Sequence, residues 1–127
     1  MGETGSYSKE VLSLSVETNM RSAPPTVSPS DTTSTVMDLM TKENVGSIVV
    51  VENGQPVGII TEKDMLQRVI RPGKNLELTL AKDVMSKPLV TIDAKRTIED
   101  ALEMLRRHEV RRLIVTREGA LVGLTTE

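Results

Sequence analysis

Cysteine, tryptophan and phenylalanine are absent from this chain, and Tyr7 is its only Phe, Tyr or Trp residue. The first absence excludes disulfides, thiol redox chemistry and thiolate metal sites. The near-absence of aromatics removes the stacking platforms that hold sugars or single-stranded nucleic acid. His108 is the lone histidine, which leaves little for zinc or imidazole catalysis. Charge of one sign is also lacking. With 16 basic and 18 acidic residues the net charge is -2, so no global field exists to grip nucleic acid or an anionic membrane. No apolar run approaches the roughly 18 residues that cross a bilayer, and the segment from Met1 to Asn19 lacks the basic start and apolar core of a signal peptide. A soluble cytoplasmic protein is the expectation, with no membrane and no nucleic acid among its partners.

What the chain has is an internal repeat. Sliding Met20–Glu62 onto Met85–Glu127, an offset of 65 residues without a gap, gives ten identities in 43 pairs. Background residue usage predicts roughly two or three. The identities include Met20/Met85, Thr26/Thr91, Thr32/Thr97, Val45/Val110, Gly58/Gly123 and Thr61/Thr126, and eight further pairs exchange one apolar side chain for another. Units of about 60 residues bury too little surface to be robust alone, so the copies are expected to share a core.

The local patterns then repeat as well. Thr26 to Ser28 reads as a short strand after Pro24-Pro25, and Thr32 starts a helix with Val36, Met37, Leu39 and Met40 as its apolar positions. The continuous apolar run from Ile48 to Val51 reads as a strand buried on both faces. Asn53-Gly54 is a type I′ hairpin signal, Val57 to Ile60 returns as the partner strand, and Thr61 opens a second helix that runs to about Ile70. The segment Arg71-Pro72-Gly73-Lys74-Asn75 stops it. The second copy has a strand near Val90 to Ile92, a helix from Thr97, a strand over Leu113 to Thr116, a turn at Glu118-Gly119 and a return strand over Leu121 to Thr125. It stops at Glu127, where the first copy begins its closing helix. Met37, Met40 and Met104 have core spacing, and His108 falls where a basic side chain meets a helix C-terminus.

This order, with V-G-I-I-T-E-K-D over Val57 to Asp64, V-R-R-L-I-V over Val110 to Val115, D-V-M over Asp83 to Met85 and G-x-x-T after each hairpin, resembles the CBS domain family. The resemblance covers nearly everything from Val16 to Glu127. It implies an α+β tandem pair of β-α-β-β-α units related by a pseudo-two-fold, with the second unit lacking its last helix. The expected division is a tail over residues 1–10, a first unit over 11–70, a linker over 71–76 and a second unit over 77–127. Members of the family pair their units into a module with two clefts, hold adenosine-containing ligands there, and often dimerise into a flat disc. A homodimer is therefore expected, formed through the apolar positions of the helices after Thr32 and Thr97.

The resemblance also assigns residues. Thr61 and Asp64 match the family's T-x-x-D motif, whose carboxylate accepts the two ribose hydroxyls; a carboxylate suits a vicinal diol because each oxygen can take one O–H. The same pattern is a helix-capping box, and the two roles can coexist. Thr97-x-x-Asp100 falls away from the motif and reads as a cap alone. Arg111 and Arg112 stand where the family places a phosphate anchor, and guanidinium suits phosphate oxygens; they also fit a solvated basic stretch with Arg106 and Arg107. One cleft is then expected to combine Thr61, Asp64, Thr91, Val110, Arg111 and Arg112. A possible second combines Thr126 with Thr26, Val45, Gly46 and Ser47, but Gly46-Ser47 replaces the arginines and the counterpart of Asp64 would fall beyond Glu127. Simple backbone packing is the preferred reading of Gly46 and Ser47.

The function implied is regulatory sensing of AMP, ADP or ATP, or else of S-adenosylmethionine or NAD, without catalysis, required cofactor or metal, and with one strong nucleotide per chain. A scaffold or DNA-linked regulator without a small-molecule ligand is the first alternative. A nucleotide-processing enzyme is the second, and it lacks a nucleophile or a tuned acid–base pair in the sequence. Apolar surface near Leu121, Val122 and Leu124 is expected to stay uncovered unless a dimer partner or the segment from Val11 to Val16 fills it.

Overall fold

The computed structural model describes residues 8–87 and 89–126. Residues 1–7 of the expected tail, and Glu127, lie outside the described residues. In chain order the elements are α1 (Lys9–Leu12), a 3₁₀ turn (Val16–Asn19), β1 (Arg21–Ser22), β2 (Thr26–Val27), α2 (Thr33–Glu43), β3 (Ser47–Glu52), β4 (Gln55–Thr61) and α3 (Glu62–Met65). They continue with a π-helical stretch (Leu66–Ile70), α4 (Ala81–Val84), β5 (Thr91–Asp93), α5 (Ile98–Arg107), β6 (Arg112–Arg117) and β7 (Ala120–Thr126). No helix among the described residues is long and apolar enough to cross a membrane.

Contacts group these elements into two units, Pro24–Leu89 and Met1–Ala23 with Val90–Glu127. In the first, β2 runs parallel to β3 and β3 antiparallel to β4. The second has the order β1-β7-β6-β5, with β5 parallel to β6 and the other pairs antiparallel. Asn53 and Gly54 have φ of 54° and 80°, and Glu118 and Gly119 have 54° and 83°. Positive φ at both central positions matches the twist of the flanking strands, which is why these pairs form the hairpins.

Helix limits follow from local chemistry. Thr32 caps α2 by accepting from Thr35 N–H, and Asn44, in the left-handed region at φ 53°, ends it. The helix that begins at Glu62 is α-helical only to Met65; Arg71 N–H then bonds Leu66 O at 2.9 Å, the five-residue spacing of a π-turn.

Each unit is completed by the segment that precedes the other repeat, and the bonds that do this obey the 65-residue offset. The first N–H of α2 needs an outside acceptor. Thr33 N–H finds Thr79 O at 2.8 Å, and its repeat counterpart Ile98 N–H finds Leu14 O at 2.9 Å. Ala81 N–H donates to Asp31 O at 2.8 Å, as Val16 N–H does to Arg96 O at 2.7 Å. Residues 77–87 therefore pack with the first repeat and residues 8–23 with the second.

The glycine of each G-x-x-T motif is explained by the same exchange. A Cβ on Gly58 would overlap Met85 Sδ and stand 2.8 Å from its Cγ; on Gly123 it would overlap Met20 Sδ and stand 3.1 Å from Arg21 O. Neither glycine has a positive φ, so the demand is steric: a methionine crosses the strand at van der Waals contact.

The core of the first unit joins Val27, Val36, Ile48, Val50, Ile60, Met65, Val69, Ala81 and Val84, with Met37 and Met40 packed against it. That of the second joins Val16, Ile92, Ala94, Ala101, Leu105, Leu113 and Val115, with Met20, Met104 and Val122 alongside. Val16, only 1% exposed, brings the N-terminal segment into this core beside Val122; Leu124, the cross-strand partner of Ile114, is 7% exposed. Ile48, Val49 and Val50 are fully buried, as the continuous apolar run requires.

Candidate functional site

The candidate residues divide between the two units. Thr26, Val45, Gly46, Ser47, Thr61 and Asp64 belong to Pro24–Leu89, whereas Thr91, Val110, Arg111, Arg112 and Thr126 belong to the other.

In the first unit β4 delivers Thr61 to the start of α3, opposite Ser47 of β3. Thr61 Oγ1 accepts from Asp64 N–H at 3.2 Å, and Asp64 Oδ2 accepts from Thr61 N–H at 2.9 Å and from the Thr61 hydroxyl at 3.0 Å. This is a complete capping box. It uses only one carboxylate oxygen. The other, Oδ1, accepts from the Ser86 hydroxyl at 3.0 Å and faces Arg68 Nε at 3.9 Å. Asp64 is 8% exposed, so a buried carboxylate is held by hydrogen-bond donors from two places in the chain, Thr61 and Ser86, with the Arg68 guanidinium nearby. Arg68 also donates from Nη1 to the carbonyls of Val84 at 2.8 Å and Met85 at 3.1 Å, which ties the end of α4 to this helix. Gly46 O accepts from Glu62 N–H at 3.1 Å, and Thr26 pairs with Val49, so these positions brace the strand and helix ends through backbone.

Val45 and Gly46, with Met37, Met40, Met65 and Leu66, line a groove of about 600 Å³ between α2 and α3. Thr41, Asn44 and Glu62 share its walls with these apolar side chains. The Thr61 and Asp64 side chains are not among its lining residues.

In the second unit Arg112 pairs with Thr126 across β6 and β7, the same joint as Ser47 with Thr61. Thr91 pairs with Ile114, and Val110 N–H donates to Leu105 O at 3.1 Å to close the turn after α5. Glu109 there has a φ of 54°. Arg111 is exposed and Arg112, the first residue of β6, is half-buried. His108 caps the C-terminus of α5.

Thr97 and Asp100 form a second complete capping box, with Asp100 N–H to Thr97 Oγ1 at 3.1 Å and Thr97 N–H to Asp100 Oδ2 at 3.3 Å. Arg96 Nε donates to the same oxygen at 2.9 Å. The guanidinium of Arg96 and the Thr97 N–H hold the Asp100 carboxyl below its ordinary value, and Arg96 is raised in turn, first by its hydrogen bond to Asp100. Among the described residues no group of three or more His, Cys, Asp or Glu could hold a metal ion.

Ser86 and Arg68 are the site residues that the sequence reading passes over. Arg68 was visible at the i+4 spacing from Asp64. Ser86 was not, because its contact spans 22 residues.

Known proteins agree with this architecture. The CBS domain pattern matches residues 9–71 and again 81–127. An uncharacterized protein of Methanopyrus kandleri is 36% identical over 103 residues, which are 80% of this chain and 53% of that one, so the chain spans about half the length of that relative. A CBS domain-containing protein of Bacillus subtilis is 36% identical over 110 residues, 87% of this chain and 78% of its own. The solved structure of a CBS domain protein from Pyrobaculum aerophilum, complexed with AMP, superposes with a TM-score of 0.79 at 24% identity, covering 89% of this chain and 87% of that one. The duplicated sequence, the matched exchange of segments and these likenesses lead to one conclusion: the chain is a tandem pair of CBS domains and belongs to the CBS domain family.

Proposed function

We propose that the chain is a regulatory module that binds an adenine nucleotide and performs no catalysis, with Thr61 and Asp64 as its ribose-binding element and Arg111 and Arg112 as its phosphate-contacting residues. The observation that carries the reading is the Asp64 carboxylate. A cap needs one oxygen, yet the second is also buried and held by Ser86, a degree of organisation suited to receiving hydroxyl donors. Support also comes from the AMP held by the Pyrobaculum aerophilum relative. AMP, ADP and ATP carry both a ribose diol and phosphate, the groups that a carboxylate and a guanidinium recognise; S-adenosylmethionine and NAD share the adenosine.

Gly46 and Ser47 stand at the repeat positions of Arg111 and Arg112 and offer no side-chain cation, so phosphorylated ligands are proposed to prefer the arginine-bearing repeat, with one tight nucleotide per chain. The groove between α2 and α3, where Met37, Met40, Met65 and Leu66 stand beside Thr41, Asn44 and Glu62, is the surface proposed for a homodimer, for which closed two-fold pairing is the commonest solution. The cytoplasm is the proposed location.

Calorimetry and thermal shift with AMP, ADP, ATP, S-adenosylmethionine and NAD test the reading. A ligand that binds only the native state must raise its stability, by about 2.7 kcal/mol at a hundredfold excess over Kd. Replacing both arginines by alanine is expected to weaken AMP much more than adenosine. Failure of all five compounds to stabilise the protein would favour a scaffold that binds no small molecule.

A further inference from the structure

We infer that the Ser86 hydroxyl competes with the ligand for Asp64, and so sets how strongly this site distinguishes a ribose diol from a deoxy sugar. The inference rests on the nucleotide reading above and deepens it. An ionised carboxylate offers about four acceptor positions, two on each oxygen. At Asp64 both positions on Oδ2 are used, by the N–H and the hydroxyl of Thr61. On Oδ1 the Ser86 hydroxyl takes one at 3.0 Å, and Arg68 Nε, at 3.9 Å, is beyond hydrogen-bond reach. One position is left for a diol that brings two donors.

The first sugar hydroxyl fills that open position. The second must take the one that Ser86 holds, exchanging one hydrogen bond for another with little net gain. Ser86 cannot withdraw by moving its backbone, since its N–H donates to Ile59 O at 2.8 Å and its carbonyl accepts from Ile59 N–H at 3.3 Å. Release is a rotation of the side chain. Ser86 stands two residues after α4, whose end is held by Arg68, so the competitor is delivered by the same segment that completes the unit.

Three proteins test this: the natural chain, Ser86→Ala and Ser86→Thr, each titrated with AMP and with 2′,3′-dideoxy-AMP and melted without ligand. Ser86→Ala removes the competitor and leaves Oδ1 with an empty acceptor position, so the free protein should melt lower while AMP binds about two- to tenfold tighter, the range of one net hydrogen bond. Dideoxy-AMP should bind it as it binds the natural chain. Ser86→Thr keeps the hydroxyl and should restore both values.

A residue that only holds Asp64 in place would behave otherwise. Weaker AMP binding by Ser86→Ala, or equal shifts for AMP and dideoxy-AMP, would overturn the inference while leaving the nucleotide reading intact. No AMP binding by any of the three proteins would overturn the nucleotide reading and the inference with it.

Discussion

Thr61–Asp64 and Thr97–Asp100 have the same spacing and both close a complete capping box, yet they are different places chemically. Asp100 is a solvent-facing carboxylate whose extra partner, Arg96, lies four residues before it on the chain. Asp64 is buried, and its extra hydrogen-bond donor comes from Ser86, 22 residues away. A capping box explains everything Asp100 does. It leaves Oδ1 of Asp64 unexplained, and that oxygen separates a helix start from a candidate binding group.

The largest expected effect breaks the two apart. Asp64→Ala should weaken AMP binding by about 1.5–3 kcal/mol, the scale of a hydrogen bond to a charged group. Asp100→Ala should leave it unchanged. Both should lose some helix stability, since each ends a capping box, so calorimetry read beside thermal melts separates ligand contact from folding. Unchanged AMP affinity in a folded Asp64→Ala protein would return Thr61–Asp64 to the status of its counterpart.

A second comparison concerns the paired glycines. Gly58→Ala and Gly123→Ala each force a Cβ into a methionine, and overpacking of this kind costs about 1–3 kcal/mol. At each glycine the thioether can swing aside, but a less mobile atom remains: Met85 Cβ 3.0 Å from the added carbon at Gly58, and the Arg21 carbonyl oxygen 3.1 Å from it at Gly123. Both substitutions should therefore lower the melting temperature by similar amounts. A loss at only one of them would mean that the segment crossing the other glycine shifts freely.

Much of this was legible beforehand because it is local. The positive φ that Asn53-Gly54 supplies, the Thr caps of α2 and α5, and the apolar run of β3 are all decided within a few residues, and each element stands within a residue or two of its expected limits. The four-residue helices α1 and α4 and the two-residue β1 carry no periodic signal, since they are too short to show one. What holds the segments that carry them is tertiary: Val16 and Ala81 in the cores, Met20 and Met85 against the glycines. The linear division at residues 71–76 follows the repeat in the sequence, while packing follows the exchange of segments, which only the fold reveals. Ser86 was hidden for the same reason.

The smallest expected effect sharpens the first comparison from the side of Asp100. Its folded-state carboxyl titrates below its ordinary value, chiefly through the Arg96 hydrogen bond and then the Thr97 N–H, so the ionised form is the one that folding favours. A group depressed in this way adds stability above its unfolded value, about 3.9 for an aspartate, and the contribution fades as pH falls through the folded value. Asp100→Asn should thus be less stable than the natural chain at neutral pH, with the gap closing in acid. Arg96 titrates far above this window and stays charged throughout. Both side chains are substantially exposed, at 60% for Arg96 and 33% for Asp100, so solvent and salt screen the pair and the gap should be small and shrink further at high ionic strength. Urea melts of the two proteins at neutral and at acid pH measure it. A gap that stays constant across that range would assign the role of Asp100 to the geometry of the cap alone, with no contribution from its charge.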